Sequence, residues 1–169
     1  TIFWLILNNK KEDIKSFFNF ENKKIFFLIL ILLIFIQVSM GAFVSGLDAG
    51  KIYQTWPLMG ETFFPNDIKI NKFNIFLDFN NHSLVQFYHR VFAYVILAYV
   101  LIFAFYLYYQ KEKKVYLSLT IILLVLSLQI FLGVFTLISG LNIYLASAHQ
   151  ISSVLLVFSS IYLYYSYIK

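Results

Sequence analysis

Three histidines carry most of the chemistry this sequence offers, and two of them lie where an ionisable side chain is costly. His89 and His149 each fall inside a long apolar run, about one and a half turns in from its outer end, which at 1.5 Å per residue is roughly 9–10 Å. An ionisable residue within a membrane span is expensive and by default functional. One such histidine reads equally well as an imidazole hydrogen-bonded within a helix bundle. Two at matching depth, on helices that run the same way, read as a shared ligand pair. Imidazole binds iron, copper or zinc. Zinc and copper sites want three or four protein ligands, and no third His, Cys or carboxylate occurs at that depth. A porphyrin brings four nitrogens and leaves two axial positions, so two histidines suit a haem iron. Beside His89 stands Arg90, with two readings left open: a contact to a haem propionate, or a cation snorkelling to lipid headgroups. Ser152, Ser153, Ser159 and Ser160 follow His149, and Ala93 follows His89, small residues against which a macrocycle can lie. His82, in the polar stretch 80–83, reads as a solvated loop residue.

These side chains need elements to hold them, and the composition says which. Of 169 residues, 61% are apolar and 12% charged, with a mean hydropathy of +0.79. A soluble domain carries about a quarter charged residues, and a disordered one is poor in the aromatics that abound here (20 Phe, 13 Tyr, 2 Trp). A hydrocarbon crossing takes about 20 apolar residues, and four runs meet that: 25–47, 83–109, 115–141 and 143–168. The expected fold class is therefore all-α and integral to the membrane, a four-transmembrane-helix bundle with a long loop at 48–82. Residues 1–7 are apolar but too short to span; residues 1–24 read as the tail of a preceding transmembrane helix and a cytoplasmic linker, ahead of a membrane unit at 25–169. With no Cys there is no disulfide, no iron–sulfur cluster and no covalent haem attachment.

The net charge of +5 is topological. Lys10, Lys11, Lys15, Lys23 and Lys24, then Lys111, Lys113 and Lys114, then Lys169 all fall on one side, which the positive-inside rule makes cytoplasmic or matrix. The 48–82 loop, where Lys51, Lys69 and Lys72 meet Asp48, Glu61, Asp67 and Asp78, is outside. No nucleic-acid partner is expected.

The chain also repeats itself. Gln37-Val-Ser-Met-Gly41 in the first span matches Gln129-Ile-Phe-Leu-Gly133 in the third; both run on to a glycine near the outer end, Gly46 and Gly140, and then to a histidine helix. A four-residue spacing puts each Gln and Gly on one helical face. That face serves close helix packing, with the amide bonding across it, or it makes room for a flat cofactor; packing is the reading taken.

The stretch 41–53, continuing into Thr55-Trp-Pro-Leu-Met59, together with Val85-Gln-Phe-Tyr-His-Arg90 and Ala148-His149-Gln150, closely resembles the C-terminal half of the haem A synthase (Cox15/CtaA) family over residues 25–168. The resemblance implies an eight-helix protein of two similar four-helix halves, each with a histidine pair. It implies oxidation of haem O to haem A, a porphyrin methyl becoming formyl by successive hydroxylation with oxygen from water, in support of cytochrome c oxidase assembly. His89 and His149 would be the axial ligands of a haem b cofactor, and the substrate haem would belong to the N-terminal half, so this fragment alone is expected to be inactive. A haem O synthase (a farnesyltransferase) would be a partner, with an unidentified electron acceptor. The expected location is the bacterial inner membrane, or the mitochondrial one. Some family members carry an outer-loop Cys pair that this chain lacks. Asp48 and Lys51 are candidates for placing the loop or the propionates, with simple solvated charges as the alternative. The rival function is a bis-His b-type cytochrome anchor that only passes electrons. A transporter is disfavoured because both hairpins run in the same direction.

Overall fold

The computed structural model describes residues 2–9, 17, 23–68 and 76–169; Lys10, Lys11, Lys15, Lys69 and Lys72 lie outside them. Five α-helices occur among the described residues: α1 Ile2–Asn8, α2 Ile25–Gly46, α3 His82–Tyr109, α4 Tyr116–Ile138 and α5 Ile143–Ile168. The four longer helices, α4 with its preceding turn, are long and apolar enough to cross a membrane, and the protein is a multi-pass membrane protein. In lipid every backbone group must be satisfied within the segment, which is why these apolar runs are helical throughout.

Short connections make antiparallel neighbours. The α3–α4 turn closes at Lys111, whose φ of 55° lets the amides of Lys111 and Glu112 return to Tyr108 O and Leu107 O. The α4–α5 turn repeats that geometry. Gly140 takes a φ of 71°, its amide returns to Leu137 O, and that of Leu141 to Thr136 O. For this reason α4 stops at Ile138, although the apolar run continues to residue 141. Within the bundle α5 packs most heavily on α4, while α2 packs on α3 and on α5.

The packed core lies toward the lysine-bearing end. Phe27 is stacked on Tyr167 at 4.5 Å and meets Phe103 edge-on at 4.7 Å. Trp4 of α1, almost fully buried, stacks on Tyr164 at 5.4 Å, and the Tyr165 hydroxyl donates to Leu7 O at 2.7 Å. Because lipid is as apolar as these side chains, their contact surfaces and the interhelical hydrogen bonds hold the bundle together, not exclusion from water. Buried apolar side chains end at Ile34 on α2 and Leu126 on α4; on α5, which enters from the other end, Leu156 is the outermost. Outward of that level the buried positions of α4 and α5 are Gln129 and Ser152.

Candidate functional site

Both histidine helices begin at an asparagine. The Asn81 side chain accepts from Leu84 N at 3.1 Å, and that of Asn142 from Tyr144 N at 3.0 Å and Leu145 N at 3.4 Å. These caps satisfy amides the first turn leaves open, so each helix starts at a defined residue and its histidine arrives about two turns later. The two imidazoles then face each other across the bundle, ring centroids 6.5 Å apart and ring planes at 86°.

The glutamines hold them in matching ways. Gln37 Nε2 lies 3.2 Å from His89 Nδ1 and donates to His89 O at 3.0 Å. On the other hairpin, the amide orientation of Gln129 that satisfies both its polar atoms puts Nε2 3.0 Å from His149 Nδ1 and 3.1 Å from His149 O, with Oε1 accepting from Ser153 N at 2.9 Å. One turn along each helix stands the glycine of the repeat. A Cβ on Gly41 would lie 3.2 Å from His89 Cε1, and one on Gly133 3.0 Å from His149 Cε1. The Gln/Gly face is thus a packing face, as the sequence suggested, and what packs there is the histidine ring.

With both Nδ1 edges occupied, the ring atoms left for a ligand are the two Nε2, neither of which has a hydrogen-bond partner among the described residues. Two metal–nitrogen bonds of about 2 Å, plus roughly 1.2 Å from each nitrogen to its ring centre, would separate the centroids by about 6–6.5 Å. The observed 6.5 Å fits an iron shared by the two imidazoles. No group of three or more His, Cys, Asp or Glu that could hold a bare metal occurs among the described residues.

The long loop covers this end. Arg90 lies one residue past His89 and turns outward to it: Nη1 donates to Thr55 O at 2.8 Å and Leu58 O at 3.2 Å, and Nη2 to Tyr53 O at 2.9 Å. Gln86, one turn earlier and buried, donates to the same Tyr53 carbonyl at 2.8 Å. The guanidinium therefore tethers the loop, a use that neither the propionate nor the headgroup reading foresaw. Asp67 accepts from the Tyr53 hydroxyl at 2.7 Å and from Ser83 Oγ at 2.6 Å. Burial pushes the Asp67 carboxyl up, but these two donors outweigh it and hold the group below its ordinary range. Burial and the Asp67 carboxylate raise the Tyr53 hydroxyl, so it stays a donor. Within the loop, Ala49, Gly50 and Met59 are buried, and Gly50 has Leu141 of the second hairpin 3.0 Å from where its Cβ would be.

Asp48 and Lys51 pair with each other at 2.8 Å, both largely exposed. His82 is exposed at the first turn of α3. Ser153 and Ser160 spend their hydroxyls on carbonyls of their own helix. The sequence reading missed Gln86, the two asparagine caps and the loop-facing role of Arg90. Asn81 and Asn142, each just ahead of a histidine helix, were the signal available for the caps.

The chain matches the family of cytochrome oxidase assembly proteins, COX15-CtaA, over residues 1–161. It is 43% identical over 160 residues to a protein named haem A synthase from Pelagibacter ubique, an alignment covering 94% of this chain and 46% of that relative. It is 41% identical over 141 residues to one from Wolbachia pipientis (83% and 39%) and 35% identical over 141 residues to one from Rickettsia felis (83% and 42%). The chain spans about half the length of the curated relatives it matches.

Proposed function

This chain belongs to the COX15-CtaA family of cytochrome oxidase assembly proteins, and on that premise we propose that it forms the haem b-binding half of a haem A synthase, with His89 and His149 as the axial ligands of the iron. The observation that carries the reading is the facing imidazole pair, 6.5 Å between centroids, each ring gripped at Nδ1 so that Nε2 is the atom left to ligate.

The overall reaction defines what such a half has to do. Turning a methyl group into formyl with oxygen from water consumes one water and releases four protons and four electrons, so the enzyme needs an outlet for electrons. A haem b held by His89 and His149 would supply one-electron redox capacity at that point. The chain's own residues do the rest. The histidines bind, Gln37 and Gln129 orient them, and the loop tethered by Arg90 and Gln86 closes the outer end against water. The N-terminal portion of the full protein would hold the substrate haem O, delivered by a haem O synthase, in the bacterial inner membrane. The electron acceptor is a further partner.

Two measurements test this. Expressing the complete gene in a host that makes haem O, then separating extracted haems, should yield haem A; haem O and haem B alone would support the rival electron-transfer anchor. In the purified parent protein, His89→Ala and His149→Ala should each abolish the low-spin b-type spectrum, measured as haem per folded protein, while His82→Ala leaves it intact. Full low-spin haem b in both alanine variants would overturn the ligand assignment.

A further inference from the structure

The two glutamines are 92 positions apart in the chain, yet each meets its histidine through the same pair of atoms. Gln37 Nε2 reaches His89 Nδ1 and His89 O at 3.2 and 3.0 Å, and Gln129 Nε2 reaches His149 Nδ1 and His149 O at 3.0 and 3.1 Å. Within each hairpin the ring is wedged between this amide and the glycine one turn outward. A packing contact alone would not need an amide at Nδ1 twice over. We propose that Gln37 and Gln129 are positioning residues that set the plane and the proton of each imidazole, so that Nε2 is the ligating atom and the two ring planes stay near perpendicular. This rests on the ligand reading above.

The chemistry follows from the ring. A neutral imidazole that ligates through Nε2 carries its remaining proton on Nδ1, and the acceptor there fixes the ring and raises its basicity. The Gln37 amide presents nitrogen to Nδ1, while its Oε1 is buried without a partner. End-for-end rotation of the amide gives up its bond to His89 O and offers Nδ1–H an acceptor in exchange. At Gln129 one orientation sets Oε1 toward Nδ1, where it accepts from Ser152 Oγ at 2.8 Å, and the other sets Nε2 on His149 Nδ1 and His149 O with Oε1 accepting from Ser153 N. Each glutamine can thus offer its histidine either a donor or an acceptor at Nδ1.

Gln37→Met keeps the length of the side chain and removes the amide; Gln37→Glu puts a carboxylate oxygen, a stronger acceptor than an amide oxygen, at Nδ1. Both are made in the haem-loaded, full-length protein, with the same pair at Gln129. The readouts are the low-spin EPR signal, which reports the angle between the ring planes, and the midpoint potential of the haem. The Met variants should broaden or shift the EPR signal because the ring is free to turn. The Glu variants should keep a sharp signal and lower the midpoint potential, because a more basic ligand favours the oxidised iron. Loss of haem in a Met variant with retention and a lowered potential in the matching Glu variant also supports the proposal. EPR signal and potential unchanged in all four variants, with His89→Ala still losing low-spin haem, would overturn the positioning role and leave the ligands standing. Retention of low-spin haem in His89→Ala would instead count against the ligand reading itself.

Discussion

A methyl group at residue 133 should test the seating of His149 with little effect on the rest of the fold. The Cβ of Gly133→Ala would lie 3.0 Å from His149 Cε1, 3.5 Å from Nδ1 and 3.6 Å from Nε2. Ordinary contact begins near 3.4 Å, so the ring must withdraw by a few tenths of an ångström, and Gln129 holds the adjacent Nδ1. Overpacking of this kind costs about 1–3 kcal/mol. Alanine in place of glycine within a helix returns about 1 kcal/mol, so the unligated protein should lose at most about 2 kcal/mol. A ligated ring has less freedom to retreat, since Nε2 must stay within bonding distance of the iron. If the full cost falls on the ligated state, haem affinity drops by about 5- to 150-fold, at tenfold per 1.4 kcal/mol. Titrating haem into purified apoprotein, with thermal stability followed in parallel, separates the two effects. Gly41→Ala should behave likewise but more mildly, its nearest ring atom being 3.2 Å away. Gly46→Ala meets nothing within 4 Å and should be neutral or stabilising by about 0.5–1 kcal/mol. Wild-type haem affinity in Gly133→Ala, or an equal loss in Gly46→Ala, would refute the seat.

Arg90→Ala removes three charge-assisted bonds to loop carbonyls, each worth about 1.5–3 kcal/mol when well made; hydrogen exchange across residues 53–58 should rise at least about tenfold, and unchanged exchange would show that the tether is idle. The depressed Asp67 carboxyl contributes stability that is complete above the ordinary carboxylate range and is lost as pH falls through its lowered value. Loop exchange, taken relative to the intrinsic amide rate at each pH, should accordingly stay flat down to mildly acidic pH and climb only beyond it. Asp67→Asn, which cannot titrate, should remove that climb. Cysteines at the exposed positions Lys113 and Glu61 should label from opposite sides with an impermeant reagent; labelling of both from outside would reverse the topology.

The helices were readable from the sequence because a membrane imposes a local requirement. About 20 apolar residues in a row must form a helix wherever they sit, and lysine placement orients them. Helix rise then set the depths of His89 and His149, and the repeat paired the Gln/Gly faces before any packing was known. The end of α4 was less legible: residues 139–141 (Ser-Gly-Leu) carry no charge to end a span, and the stop at Ile138 comes from the left-handed turn at Gly140 and Leu141. What only the tertiary structure decided are contacts between residues far apart in the chain. Gln37 and His89 are separated by 52 positions, Arg90 and Thr55 by 35, and no periodicity within one helix reports which neighbour a side chain meets. An arginine at the outer end of a span has headgroups, propionates and loop carbonyls all within reach of its long stem. Its choice depends on where the 48–82 loop folds back. The glycines likewise read as generic small residues until the helices were placed against each other, because the ring that needs their missing Cβ comes from the other helix of each hairpin.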